Sequence, residues 1–132
     1  MKAVVCIDLN DGIAFNHRRI SQDIKQREDL LQWIGSEFLY IDKKAAALYG
    51  DHPQIIQSEN PVIECKDHWC LFENDEINKV QDQIDILLIY NWNRNYPSDS
   101  KLEIDLWNYK IKEQTELGGK SHEKITRTLY VR

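Results

Sequence analysis

Ile86-Leu87-Leu88-Ile89-Tyr90 is an unbroken apolar run, the pattern of a strand buried on both faces of a sheet. Upstream, Asp75 to Gln83 reads as a short helix that turns Ile77, Val80 and Ile84 inward, preceded by a strand at Trp69 to Phe72. Asn60 to Lys66 fits neither template, while Gln54 to Gln57 reads as another short strand. Gly50-Asp51-His52-Pro53 stops an alanine-rich helix at Lys43 to Tyr49, which itself follows a strand at Glu37 to Ile41. Further upstream, Ser21 suits the cap of a helix whose Ile24, Leu30, Leu31 and Ile34 share a face, ending near Gly35. The first strand is expected at Ala3 to Leu9, with a turn at Asn10-Asp11-Gly12 and a polar loop from Phe15 to Arg19. Downstream the period changes. Tyr109 to Thr115 alternates, Gly118-Gly119 turns, and Lys124 to Val131 alternates again. Strands interleaved with helices and closed by an antiparallel pair predict a three-layer α/β domain with a mixed sheet.

The 132 residues make one domain, 1–132, with no repeat or linker to divide it. A net charge of −5 excludes a broadly basic nucleic-acid-binding domain and leaves room only for a local basic loop. No apolar stretch reaches the roughly 18 to 20 residues that span a bilayer. Met1 to Asp8 turns acidic too early for a signal peptide, and neither end carries a lipidation signature. Three cysteines, Cys6, Cys65 and Cys70, argue for reduced thiols, and the expectation is a cytoplasmic protein. Cys65-Lys66-Asp67-His68-Trp69-Cys70 offers three metal ligands, but a structural zinc site needs four and no second pair exists. Ordinary packing is expected there, and no metal.

The order of these elements resembles dihydrofolate reductase over most of the chain. The first strand with Asn10-Asp11-Gly12-Ile13 is similar to that family's opening strand and active-site loop. Asp23 falls near the acid that binds the pterin. Glu37 to Tyr49 resembles the second strand and the cofactor-binding helix, and Cys70 to Ile77 the strand and helix that flank a Gly-Gly pair. Tyr96 to Lys110 and His122 to Arg132 resemble the stretch before the final hairpin and the final strand. The resemblance implies a dihydrofolate reductase-like mixed sheet and a nicotinamide cofactor site.

Departures fall on that site. Glu73-Asn74 stands where the family has its two glycines, and side chains there crowd a pyrophosphate while the carboxylate repels it. Asp42-Lys43-Lys44-Ala45 stands at the other phosphate contact, adding an acid and lacking a hydroxyl, although Lys43 and Lys44 still suit a phosphate. The tryptophan beside the pterin site is missing. A working reductase is therefore not expected, and no cofactor is implied beyond NADPH as the one to test. The chain also resembles short bacterial proteins with F-N-x-R-R, W-N-R-x-Y-P-x-D and S-H-E-K-I-T segments, here at Phe15–Arg19, Trp92–Asp99 and Ser121–Thr126. Such proteins often carry the name ribonuclease Z. That chemistry needs a two-zinc histidine cluster, which His17, His52, His68 and His122 do not supply.

Three polar segments are candidate sites. Asn16-His17-Arg18-Arg19, with Ser21 and Asp23, follows the first strand, where α/β sheets bind ligands, and the adjacent Arg18 and Arg19 suit phosphate or carboxylate. A solvated turn balanced by Asp23 and Glu28 is the alternative. Arg94 lies between Trp92 and Tyr96, a pattern that can stack a planar ligand or a base, or simply cover a sheet edge. Gly119 to Lys124 holds Ser121, His122 and Glu123 in a row, but strand neighbours point to opposite faces and cannot form a triad. A solvated hairpin bend is expected there. His17 and His122 would serve a metal-free ribonuclease only if the fold brought them together. The leading expectation is a non-reductase that binds a small anionic or planar ligand, or a partner, at Arg18, Arg19 and Arg94. An enzyme and a nucleic-acid-binding module are the competing classes.

Overall fold

The computed structural model describes residues 1–132. The chain begins with β1 (Lys2–Ile7), β2 (Gly12–Phe15) and β3 (Arg18–Arg19), followed by helix α1 (Ile24–Ile34). Next come β4 (Leu39–Ile41), α2 (Lys43–Tyr49), β5 (Ile55–Gln57), the single-turn α3 (Pro61–Glu64) and β6 (Trp69–Phe72). One turn of helix, α4 (Glu76–Lys79), leads to β7 (Ile86–Asn91); β8 (Ser100–Lys101), β9 (Lys110–Leu117) and β10 (Ile125–Val131) complete the fold. The main sheet has seven strands in the order β5-β4-β6-β1-β7-β10-β9. β5, β4, β6, β1 and β7 run parallel, and β10 and β9 add an antiparallel edge. A small second sheet joins β3, β2 and β8.

β7 behaves as its apolar run requires. Leu87 and Ile89 enter one core with Ala3, Val5, Phe72 and Ile77, and Leu88 and Tyr90 enter the other with Leu30, Ile34, Leu39 and Ile41. Two buried layers on opposite faces of one sheet give the three-layer mixed α/β architecture. α1 is tied to the sheet by polar contacts as well. The Tyr90 hydroxyl donates to Asp29 Oδ2 at 2.7 Å, and Arg127 on β10 holds both oxygens of Asp29 at 2.8 and 2.7 Å. Tyr90→Phe removes one donor but leaves the arginine, so urea unfolding should show a loss of about 1 kcal/mol; a loss above 3 kcal/mol would contradict this account.

Several local expectations are corrected. Asp23, not Ser21, caps α1, because its side chain accepts the Lys25 N–H. The polar loop from Phe15 to Arg19 is a β2–β3 hairpin whose turn places Asn16 and His17 at φ 51° and 62°, the left-handed values a tight hairpin needs. The helix expected at Asp75 to Gln83 breaks at Val80 into α4 and one turn of 3-10 helix at Gln81–Gln83. The undecided Asn60–Lys66 segment contains α3, which starts on a proline at its first turn.

Candidate functional site

The C-terminal ends of β1, β6 and β7 meet the segment between β3 and α1, and the chemistry-bearing side chains gather there. Asp23 is 0% exposed, yet its carboxylate is saturated. Oδ1 accepts the Lys25 and Lys120 N–H groups at 2.8 and 3.0 Å. Oδ2 accepts the Ser121 and His122 N–H groups at 2.8 and 3.1 Å and meets His122 Nδ1 at 2.9 Å. Burial opposes ionisation, but these hydrogen bonds outweigh it and hold the carboxyl well below its ordinary range. Gly119 makes the approach possible: a Cβ there would stand 2.7 Å from Asp23 Oδ2 and 2.5 Å from the His122 carbonyl oxygen.

The segment is a bend with Lys120, Ser121, Glu123 and Lys124 exposed as expected, but His122 is 2% exposed, turned in over the start of α1. An ionised carboxylate only accepts, so Nδ1 carries the proton and Nε2 is left as an acceptor. Two hydroxyls reach Nε2: Tyr96 at 2.7 Å and Ser21 at 3.0 Å, themselves 3.1 Å apart. Trp92 stacks on the imidazole with centroids 4.6 Å apart and planes at 20°. The Trp92 face suggested as a ligand platform is thus taken by His122. Tyr96 is placed by its own N–H, which donates to Asp8 Oδ2 at 3.0 Å, while Asp8 Oδ1 holds the β1–β2 turn through the Asn10 and Gly12 N–H groups.

Ser21 lines a cavity of 20 Å³ that it shares with Cys6, Gln26, Tyr49 and Trp92. Gln26 Nε2 is a buried donor that makes no hydrogen bond of ordinary geometry, with the Tyr49 hydroxyl close beside it. Burial, and then the Glu73 charge, push the Cys6 thiol far up, so it stays protonated and is a poor nucleophile.

On the outer side of Arg19 an open groove of 840 Å³ runs between β3, the start of α2 and the end of β6. Both stretches that the resemblance would set against phosphate, Asp42-Lys43-Lys44 and Glu73-Asn74, line this one groove with His17 and Arg18. Glu73 does not face it as a free anion: its two oxygens bind Arg19 Nε and Nη2 at 2.6 and 3.0 Å. That pair lessens the expected repulsion and also removes Arg19 as a free anion ligand. Asp42 caps α2 through the Ala45 N–H at 2.9 Å, placing a carboxylate at the helix start.

The candidates therefore divide. Arg18, Arg19, Lys43, Lys44 and His17 share the groove, whereas Arg94 lies in a separate depression with Glu116, Glu123 and Lys124. His17 and His122 are not joined by any hydrogen bond or ring contact; His122 meets Ser21, Asp23 and Tyr96 instead. His68 packs against Tyr40 and Phe38, and no group of three or more His, Cys, Asp or Glu is placed to hold a metal ion. The Ser21–His122–Asp23 grouping escaped sequence reasoning. Its one available signal was a serine and an aspartate two residues apart, both also common capping residues. No helix is long and apolar enough to cross a membrane.

No family model matches the chain, and no curated protein sequence matches it. Among solved structures, a dihydrofolate reductase from Enterococcus faecalis, complexed with NADP(H) and RAB-propyl, is similar over 99% of this chain and 95% of that one. The TM-score is 0.71 at 9% sequence identity, so the likeness shows a dihydrofolate reductase-like fold.

Proposed function

We propose that this chain uses a dihydrofolate reductase-like fold to bind a small phosphate-bearing ligand in the groove beside Arg18, Lys43 and Lys44, without reducing a pterin. The observation that carries the reading is the local charge. Four cations, Arg18, Arg19, Lys43 and Lys44, face three carboxylates, Asp42, Glu59 and Glu73, leaving one net positive charge in a chain of net charge −5. Arg18, Lys43 and Lys44 are held by no carboxylate, so their charges are available to a ligand. The groove's volume falls within the range of small-molecule sites, roughly 300 to 1,000 Å³.

A phosphate fits the residues at the Lys43-Lys44 end and fits poorly at Glu73-Asn74, where side chains stand in place of bare backbone. When bound, a nicotinamide dinucleotide supplies hydride. The protein groups that would present a pterin to it are otherwise engaged. All of Asp23's acceptor capacity is spent on the chain itself, and the neighbouring cavity of 20 Å³ has room for about one water. The fold's neighbour was solved with NADP(H), which makes NADPH the first probe.

Titration with NADPH, followed by tryptophan emission, should give saturable binding that weakens with added salt. Lys43→Ala with Lys44→Ala should weaken it by about five- to tenfold, the loss of roughly 1 to 1.4 kcal/mol of charge-assisted contacts. Absence of binding at millimolar NADPH and at millimolar inorganic pyrophosphate would overturn the proposal. Turnover of dihydrofolate would overturn its second half.

A further inference from the structure

The geometry points to Ser21 as an activated nucleophile, with His122 as its base and Asp23 orienting that base, acting on esters of short acyl groups. The inference stands apart from the groove reading, because it uses neither Lys43 nor Lys44 and is read by a covalent product.

A clamp between the 118–124 segment and α1 would need only the Nδ1 side of His122 and the backbone N–H groups that Asp23 already accepts. The structure does more. The same Asp23 oxygen binds the His122 N–H at 3.1 Å and Nδ1 at 2.9 Å, fixing the ring's position and tautomer. Trp92 fixes its plane. Nε2 is thereby held 2.7 Å from the Tyr96 hydroxyl and 3.0 Å from Ser21 Oγ, and Ser21 donates to the Tyr96 oxygen at 3.1 Å, so the base reaches the Ser21 proton through the phenol. Ser21 is half-buried and lines the cavity that also holds the Gln26 Nε2 donor, itself in a residue only 2% exposed. An acyl carbonyl oxygen would satisfy that donor.

The step balances without an outside reagent other than water. Ser21 Oγ forms a bond to the ester carbonyl carbon, its proton passes to the Tyr96 oxygen as the phenol proton passes to His122 Nε2, and the carbonyl electron pair moves to oxygen. The intermediate collapses as the carbon–alkoxy bond breaks, and the leaving oxygen takes the proton from Nε2. Water then attacks the acyl-serine, gives its proton to Nε2, and Ser21 recovers it as the acid departs. Tyr96 has a part in this. While Nε2 is unprotonated it accepts from the phenol at 2.7 Å; once protonated it no longer accepts, and the phenol O–H is free to donate to oxygen charge developing beside Ser21 Oγ, 3.1 Å from it. The cavity of 20 Å³ has room for about one water, so it admits the carbonyl oxygen of a short acyl group while the rest of the ester lies outside it.

p-Nitrophenyl acetate is the probe. Nitrophenolate release and intact mass should show one acetyl group per chain, which peptide mapping places on Ser21. Ser21→Ala and His122→Gln should each slow acylation by at least about a hundredfold, and Tyr96→Phe by roughly tenfold, with folding checked by circular dichroism. Asp23 is a positioning residue, so Asp23→Asn, assayed at a temperature where it is folded, should shift the pH–rate profile as well as the rate. Acylation scattered over lysines, acylation of Ser21→Ala at the parent rate, or none at all would overturn the assignment.

Discussion

Asp23→Asn should cost about 3 to 5 kcal/mol of folding stability at neutral pH, a large part of what a domain of this size possesses. The carboxylate is fully buried and accepts five contacts from three parts of the chain: its own helix start, the Lys120–His122 backbone and the His122 ring. An amide in its place turns one acceptor into a donor facing other donors, leaving buried N–H groups unpaired. The effect should depend on pH with a definite sign. Asp23's carboxyl is held below its ordinary value of 3.8 in the folded protein, so its ionisation favours the native state. That contribution is complete above the ordinary value and is lost as the pH falls beneath it toward the depressed native value. The gap between parent and variant should therefore be constant from about pH 6 to 8 and shrink below about pH 4. Urea melts across pH 3 to 8 measure it. A neutral-pH loss under 1 kcal/mol, or a gap that widens in acid, would refute this role.

Replacing Glu73 and Asn74 together by glycine should tighten NADPH or pyrophosphate binding by ten- to a hundredfold at low salt. Two effects act in the same direction. The bidentate partner of Arg19 disappears, which frees a guanidinium at the groove's inner wall, and two side chains vanish from where the proposed phosphate would meet backbone. Loss of the partly buried Arg19–Glu73 pair should cost the fold about 1 kcal/mol. Adding Arg19→Ala to the glycine pair should then take back most of the gain. If the glycine pair leaves affinity unchanged, Glu73 is not what limits anion binding in this groove.

The β7 run was legible because a strand covered on both faces admits no polar alternation, a constraint each residue carries by itself. Lys43–Tyr49 was legible for a similar reason: alanine-rich sequence followed by Gly50 and Pro53 encodes its own start and stop. The α1 cap was not. Ser21 and Asp23 both suit the position, and what selects Asp23 is a set of N–H groups 97 to 99 residues away. His122 illustrates the same limit. Among Ser121, Glu123 and Lys124 it reads as solvated, and only the closing of the 118–124 segment over Asp23 buries it. Gly118-Gly119 opens the connection between β9 and β10 as the sequence suggests, and Gly119 in addition lets backbone lie against a carboxylate, which the sequence does not show.

The candidate site divides along that line. Lys43, Lys44, Glu73 and Asn74 could be picked out by position in a familiar order of elements, and the fold places them on one groove. That Glu73 spends its charge on Arg19, and that Arg94 belongs to a different surface, depended on where β3 and the loop after β7 lie. By itself the sequence determined the layers, the mixed sheet and its antiparallel edge, because hydrophobic period and turn chemistry are written into neighbouring residues. Only the tertiary structure decided which charges neutralise one another and that Ser21, Asp23, Tyr96 and His122 meet. Hydrogen bonds and ion pairs act over about 3 Å, and contacts that short between distant segments leave no local pattern along the chain.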